Sequence, residues 1–218
     1  MAPFLVYLLL LTLQDFVFPD HLTWLAIAIR GIGALLVFEM LARHLPPMGR
    51  PHVTLAVVVG VATAAMWAAG QHWLNGLGVP AGLPPLGSAQ PEVINPHDKF
   101  GDGVLLWTTV TLRILVACTA VPIVEEIFWR GFLLRAFIRW EDFEKIPMGQ
   151  FAWRAFIGTA LLSVAQHPNN WAVSIVCWLI FNALFYYTRS LTCLIITHAV
   201  TNLALYVYMV SARDWLFW

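Results

Sequence analysis

Two adjacent carboxylates and a guanidinium lie inside a run of otherwise apolar residues. The run from Val124 to Gly131 contains Glu125, Glu126 and Arg130. An ionisable side chain at the centre of a lipid-buried helix is unfavourable by roughly 2.5–3.5 kcal/mol, so such residues face a bundle interior or a wet cavity and mark function. The run therefore predicts a polar site inside a membrane domain.

The spacing of these charges suggests separate roles for the two glutamates. Glu126 and Arg130 are four residues apart, so they can pair along one helix face and keep a buried guanidinium compensated. Glu125 points about 100° away around the helix and is free to act on a water as a general base. The opposite assignment of the two carboxylates stays open at this stage.

The later apolar segments contain few polar side chains, and several lie at a matching depth. They are chiefly Gln166, His167, Asn182, His198 and Asn202. Counted from the arginines at the cytoplasmic edge, Glu125 and His167 lie roughly 20 Å deep and His198 roughly 14 Å, so they can meet near the midplane. His167 could share or shuttle a proton, while His198 and Asn202, which share a helix face, offer two donors to a developing oxyanion. These are the parts of a peptide hydrolase that needs no covalent nucleophile.

The composition of the chain is that of an integral membrane protein. Hydrophobic residues make up 60% of the 218 residues and charged residues only 11%, with a mean hydropathy of +0.75. A soluble core cannot hide that much apolar surface. Twelve basic and twelve acidic residues cancel, so no basic surface suggests a nucleic acid partner. We predict a single membrane domain over residues 1–218, with the lipid bilayer as its surroundings.

The apolar runs must supply the helices that position the site. They cover residues 3–18, 22–41, 53–74, 104–140, 155–167, 171–187 and 191–209. The run from 104 to 140 is too long for one straight span, and Pro122 should kink or break it. Counting that run once gives seven spans with a cytoplasmic N-terminus, which fits the positive-inside pattern, and counting it twice gives eight. The predicted fold class is an all-α, polytopic transmembrane bundle of seven or eight helices with a polar intramembrane cavity.

Charges outside the site are expected to be structural. Arg30 and Glu39 interrupt the second span, where they can pair with a neighbouring helix or reach an interface. Residues 75–103 are rich in glycine and proline, lack a helical period and carry the acidic residues Glu92, Asp98 and Asp102. We predict that this loop is an irregular extramembrane segment.

The order and spacing of the polar residues resemble the three motifs of the CPBP family, the type II CAAX prenyl endopeptidases and their bacteriocin-processing relatives. The motifs are Glu125-Glu126-x-x-x-Arg130, His167 before a helix break, and His198-x-x-x-Asn202. The resemblance begins near residue 104, with residues 104–210 as the catalytic core. Residues 141–147, 192–202 and 215–218 look more narrowly like the CAAX protease-related proteins of bacterial exosortase systems.

The resemblance implies an intramembrane glutamate protease of a bacterial inner membrane, with no metal or other cofactor. Glu125 and His167 would activate a water, and His198 and Asn202 would hold the tetrahedral intermediate. The implied substrate is a membrane-anchored protein or peptide, which is prenylated in eukaryotic relatives or handled with exosortase-system proteins in bacterial ones. The family's second motif usually reads FxxxH, and Ser163 stands at its Phe position, which makes Ser163 a candidate packing or substrate-side contact.

Two other interpretations assign different functions to the same polar residues. Two glutamates and two histidines could ligate zinc in a metalloprotease, although the chain contains no HExxH sequence. A strong chelator should then abolish the activity, and zinc should restore it. The same residues could instead line the cavity of a non-catalytic binding, transport or immunity protein.

Overall fold

Backbone polar groups inside a bilayer must be satisfied by the chain itself, which favours helices for the apolar runs. The computed structural model describes residues 2–218 apart from residues 84, 86, 91 and 92, and only the backbone of residue 15. The helices are α1 (Ala2–Val17), α2 (Thr23–Met40), α3 (Val53–Gly76), α4 (Pro96–Phe100), α5 (Val104–Cys118), α6 (Ala120–Glu126), α7 (Leu134–Ala136), α8 (Trp153–Gln166), α9 (Trp171–Thr188) and α10 (Leu191–Ala212). A π-helical segment, Ile127–Leu133, joins α6 to α7.

The predicted all-α, polytopic bundle is confirmed, and each predicted apolar run forms a helix. Within the described part of the chain, five helical stretches are long and apolar enough to cross a membrane: Asp20–Met40, Val53–Gly76, Val104–Ala136, Pro168–Thr188 and Leu191–Ala212. Helix α8 has 14 residues and the apolar part of α1 is Ala2–Gln14, so both are shorter than a full span. The count of seven or eight crossings stays a prediction.

The long run from Val104 to Ala136 is broken where the site begins. Thr119, between α5 and α6, has φ −123° and ψ −76°, outside the helical region. The break precedes Pro122 because a proline cannot donate to the carbonyl four residues earlier and its ring clashes there. Pro122 itself lies in the first turn of α6, where its missing N–H is tolerated. The predicted break is therefore present, three residues before the proline.

The loop after α3 is more regular than we predicted. Asn95 accepts a hydrogen bond from the backbone N–H of His97 at 3.1 Å, and Pro96 occupies the first position of α4. This cap and this proline start a short helix without an apolar period. Glu92, an acidic residue of the same loop, lies outside the described residues.

The two charges of α2 lie in different surroundings. Arg30 is buried, its Nη1 donates to Gln14 Oε1 at 2.8 Å, and its guanidinium carbon lies 5.0 Å from the centroid of the Tyr7 ring. Glu39 is exposed near the end of the helix. Arg30 therefore pairs with a neighbouring helix and Glu39 reaches the surface, which are the two roles expected of these charges.

Helix α10, which carries His198 and Asn202, packs closely on α3 at Gly60. A Cβ atom added to Gly60 would lie 2.8 Å from the carbonyl oxygen of Thr197 and 2.9 Å from Val200. Thr201 Oγ1 donates to the Gly60 carbonyl at 3.1 Å. The absence of a side chain on Gly60 therefore sets the distance between these two helices.

We expect Gly60→Ala to lower the free energy of unfolding by about 1–3 kcal/mol, because the new methyl group meets a backbone carbonyl that cannot rotate away. Gly76→Ala is the matched control, since nothing lies within 4 Å of a Cβ atom at that position. Reversible unfolding in mixed micelles measures both variants. Equal stabilities would contradict the close contact between α3 and α10.

Candidate active site

A cavity of about 580 Å³ lies among α1, α3, α5, α6, α8, α9 and α10. Four of the predicted site residues belong to its wall: Glu125, His167, His198 and Asn202. They come from α6, the end of α8 and α10. Residues separated by up to 77 positions are thus brought to one place, as their matching depths suggested.

The carboxylate of Glu125 has one held oxygen and one free oxygen. Its side chain is buried, and Oε1 accepts a hydrogen bond from Gln166 Nε2 at 2.5 Å. Oε2 is also buried and has no hydrogen-bond partner among the described residues. A carboxylate of the cavity wall that is anchored through one oxygen and has an unengaged acceptor in the other suits the proton transfer of a general base.

Gln166 has a fixed orientation because of Trp129. The Trp129 Nε1–H donates to Gln166 Oε1 at 3.0 Å. An indole N–H can only donate, so the amide oxygen must face Trp129 and the amide NH₂ must face Glu125. From the sequence, Gln166 was only one polar residue among several. Its place directly before His167, at the depth of Glu125, was the available signal for this contact.

The carboxylate of Glu126 has both oxygens occupied. Arg130 Nη1 lies 3.2 Å from Oε1 and 3.0 Å from Oε2, and His198 Nδ1 lies 2.8 Å from Oε1. Glu126 and Arg130 are both fully buried. The pairing expected from their spacing is present, and the contact with His198 adds a partner from a distant helix.

Arg130 connects the glutamate pair to α9 and α8. Its Nε donates to Asn182 Oδ1 at 3.2 Å, and Asn182 Nδ2 donates to the Phe156 carbonyl and to Thr159 Oγ1, both at 2.9 Å. The guanidinium carbon also lies 5.4 Å from the centroid of Trp178. Asn182 was noticed in the sequence as a polar residue without a role, and these contacts supply one.

The π-helical segment after the glutamates was not predicted. Segments of this kind widen a helix by one residue per turn and are frequent at functional sites. Arg135 Nη1 donates to the carbonyl of Gly131 at 2.9 Å, and its Nε donates to the carbonyl of Ile146 at 2.8 Å. Arg135, which follows the π-helical segment, thus links it to the loop that contains Ile146. No residue pattern in the sequence predicted this segment.

His167 ends α8 and packs between two tryptophans. Its φ and ψ of −125° and 58° are not helical, and Pro168 follows it, which disfavours a helical conformation for the residue before it. The ring centroid lies 5.3 Å from those of both Trp67 and Trp178. These rings fix the position of the imidazole at the cavity wall.

Asn202 ties α10 to the break between α5 and α6. Its Nδ2 donates to the carbonyl of Ala117 at 2.7 Å. One amide hydrogen is used in this contact, and the other remains for a ligand. His198, one turn earlier on α10, uses Nδ1 for Glu126, which leaves Nε2 as its second ring nitrogen.

Ser163 lies between α8 and α9 rather than among the cavity-lining residues. It is fully buried, its Oγ donates to the carbonyl of Ala160 at 2.7 Å, and it lies 3.0 Å from Ser174 Oγ. These contacts fit the packing role. The substrate-side role stays a prediction without a contact in its support.

No group of three or more His, Cys, Asp or Glu side chains among the described residues is arranged to hold a metal ion. The ring of His167 packs against tryptophans, and His198 Nδ1 is engaged with Glu126. A zinc ion bound by two glutamates and two histidines would need these side chains to turn towards one point.

Comparison with known proteins identifies one family. Residues 107–204 match the model for "Type II CAAX prenyl endopeptidase Rce1-like". No curated protein and no solved structure matches the chain. The matched region runs from α5 to α10 and contains all of the predicted site residues. The match supports the resemblance to the CPBP family. Over residues 107–204 the chain, a multi-pass membrane peptidase, is similar to the type II CAAX prenyl endopeptidases.

Proposed function

We propose that the protein is an intramembrane glutamate-type endopeptidase that hydrolyses a peptide bond of a membrane-associated protein, with Glu125 as the general base. The observation that carries this proposal is the difference between the two carboxylates. Glu125 belongs to the cavity wall and its Oε2 has no partner among the described residues, whereas both oxygens of Glu126 are taken by Arg130 and His198. Only Glu125 can accept a proton without breaking an existing contact.

In the first step, Glu125 Oε2 takes a proton from a water molecule while the water oxygen attacks the carbonyl carbon of the scissile peptide. Gln166 holds Oε1, so the orientation of the carboxylate is fixed. His167 lines the same cavity, and in this mechanism it orients that water or shares its proton. Fixing both the base and the water supplies much of the rate enhancement in such a reaction.

The attack places a negative charge on the former carbonyl oxygen, and α10 provides the donors. The free amide hydrogen of Asn202 and Nε2 of His198 lie on one helix face at the cavity. In this step both ring nitrogens of His198 act as donors: Nδ1–H donates to the Glu126 carboxylate, and Nε2–H donates to the oxyanion. Glu126 therefore acts as a positioning residue, and donors held in advance stabilise the developing oxyanion.

The intermediate collapses when the bond between the carbonyl carbon and the peptide nitrogen breaks. Glu125 returns its proton to the leaving nitrogen, which departs as an amine, and the other fragment leaves as a carboxylic acid. No covalent bond to the enzyme and no redox change are needed. The same carboxylate serves as base and then as acid.

The substrate that we propose is a membrane-anchored protein, either lipidated or processed together with exosortase-system proteins in a bacterial inner membrane. The support is the apolar character of much of the cavity wall, which includes Leu8, Leu11, Val121 and Leu205. An apolar wall around a few polar groups favours a substrate segment that already lies in the bilayer.

The test is cleavage of membrane-anchored peptides, prenylated and unprenylated, by the purified protein in lipid nanodiscs. Glu125→Ala, His167→Ala and His198→Ala should each abolish cleavage. A parallel reaction with a strong chelator, and then with added zinc, separates this mechanism from a metalloprotease. Full activity of Glu125→Ala, or chelator inhibition reversed by zinc, would refute the glutamate mechanism.

Gln166 provides a further prediction as a positioning residue for Glu125. We expect Gln166→Leu to lower kcat by about 10–100-fold with little change in KM, because the carboxylate loses the donor that sets its direction. Trp129→Phe should have a smaller effect of the same kind, since the amide of Gln166 can then turn. Because Trp129 acts through Gln166, the effects should not add in the double variant. An unchanged kcat in a folded Gln166→Leu protein would show that Gln166 does not position Glu125 for catalysis.

A further inference from the structure

Residues 214–218, which we call the return segment, fold back from the end of α10. Arg213, which ends the helix, has a positive φ of 53°, and the N–H of Asp214 donates to the carbonyl of Met209 at 3.0 Å. The sharp reversal carries Leu216, Phe217 and Trp218 into the wall of the cavity that also contains Glu125. Each residue of the return segment is partly exposed.

One carboxylate latches the return segment to the bundle. Asp214 Oδ2 lies 2.6 Å from His72 Nε2 on α3 and accepts a hydrogen bond from the Tyr208 hydroxyl at 2.9 Å. The Phe217 ring packs edge-on to His72, with 5.6 Å between the ring centroids. The His72 side chain is 46% exposed, and contacts in water at this exposure are weak and reversible.

The inner contact of the return segment is with Arg113 on α5. The guanidinium carbon lies 4.5 Å from the centroid of the Trp218 ring, and Arg113 Nε donates to the Tyr206 hydroxyl at 2.9 Å. No carboxylate of the described residues lies within 4 Å of Arg113. The cation at this end of the cavity is thus covered by an aromatic ring rather than neutralised.

We propose that the return segment is a self-ligand: it occupies a subsite for an apolar, aromatic-bearing peptide segment in the cavity and must leave before substrate can enter. The inference rests on the proposed function and adds to it the chemistry of the substrate segment and a means of control. Three apolar side chains in a row line the cavity, and they are held by the exposed Asp214 contact together with the ring contacts to His72 and Arg113. Such an arrangement can open without disturbing the helices that carry the site.

The test uses the full chain. Asp214→Ala releases the latch, and a combined Phe217→Ala and Trp218→Ala variant removes the self-ligand. We expect both to raise kcat/KM for an anchored peptide at least about fivefold, mainly through KM, because a site blocked for most of the time binds its substrate correspondingly more weakly. Asp142→Ala, which removes an exposed aspartate paired with Lys145 at 2.8 Å, is the matched control and should leave kcat/KM unchanged.

A binding measurement keeps the inference separate from catalysis. A labelled pentapeptide with the sequence of residues 214–218 should bind the Phe217→Ala, Trp218→Ala protein about tenfold more tightly than the intact chain, whose subsite is filled. Arg113→Gln in that variant should weaken binding, and a pentapeptide with alanine at its last three positions should not bind.

The outcomes of these two experiments are distinct. Equal peptide binding by intact and variant proteins, or an unchanged or lowered kcat/KM in the folded Asp214→Ala protein, overturns the self-ligand. The expected binding pattern without cleavage of any peptide would support the subsite while refuting the proposed hydrolase.

Discussion

Glu125→Gln is expected to lower kcat by about 10²–10⁴-fold, the range that general base catalysis contributes. Glutamine has nearly the volume of glutamate, and its side-chain oxygen can still accept from Gln166. The substitution therefore replaces only Oε2, the oxygen without a partner among the described residues, by an amide that cannot take a proton. KM should change little, because the carboxylate acts on the water rather than on the substrate.

The measurement is single-turnover cleavage at saturating peptide, together with thermal unfolding to show that the fold is kept. Glu125→Asp is the companion variant: it keeps the charge but withdraws the carboxylate by one methylene, so it should also lose turnover while still binding substrate. Wild-type kcat in a folded Glu125→Gln protein would exclude Glu125 as the base. The role would then pass to another group on the cavity wall.

The positions of the helices could be predicted because hydropathy and length act locally. Each predicted apolar run except 104–140 corresponds to one helix, with ends that differ by a few residues, and the run 104–140 forms α5, α6, the π-helical segment and α7. The residues that meet at the cavity were found for a related reason. A polar side chain is unfavourable in a membrane, so Glu125, His167, His198 and Asn202 stood out, and the helical rise placed them at compatible depths.

The rest of the site depends on contacts between distant residues, which periodicity does not record. Gln166 meets Glu125 only because α8 ends beside α6, and the amide is oriented by Trp129. The π-helical segment Ile127–Leu133 has no counterpart in the apolar pattern either. The return segment looked like part of a family pattern in the sequence, and its position on the cavity could be seen only from the fold.

Glu126→Gln should destabilise the protein by about 3–5 kcal/mol, because it leaves the fully buried Arg130 guanidinium without its counter-charge. Arg130→Met should cost a similar amount, since Glu126 then keeps only His198. Combining the two substitutions removes both charges, and the double variant should recover most of the loss. Reversible unfolding in mixed micelles gives the coupling energy between the two sites.

An exposed pair provides the control for this cycle. Lys145 and Asp142 lie 2.8 Å apart with side chains that are 72% and 43% exposed, so Asp142→Asn should change the free energy of unfolding by about 0–1 kcal/mol. Additive losses in the double variant, or a loss for Glu126→Gln as small as that of Asp142→Asn, would mean that the buried pair is not coupled.

The double variant also separates stability from catalysis. Glu126 has two partners, Arg130 for charge compensation and His198 for the orientation of its ring. Replacing both charges restores a compensated interior but not the carboxylate that holds His198 Nδ1. We therefore expect Glu126→Gln with Arg130→Met to regain stability while kcat stays low. A double variant that regains both would show that Glu126 serves the fold alone, and that His198 needs no partner to act at the cavity.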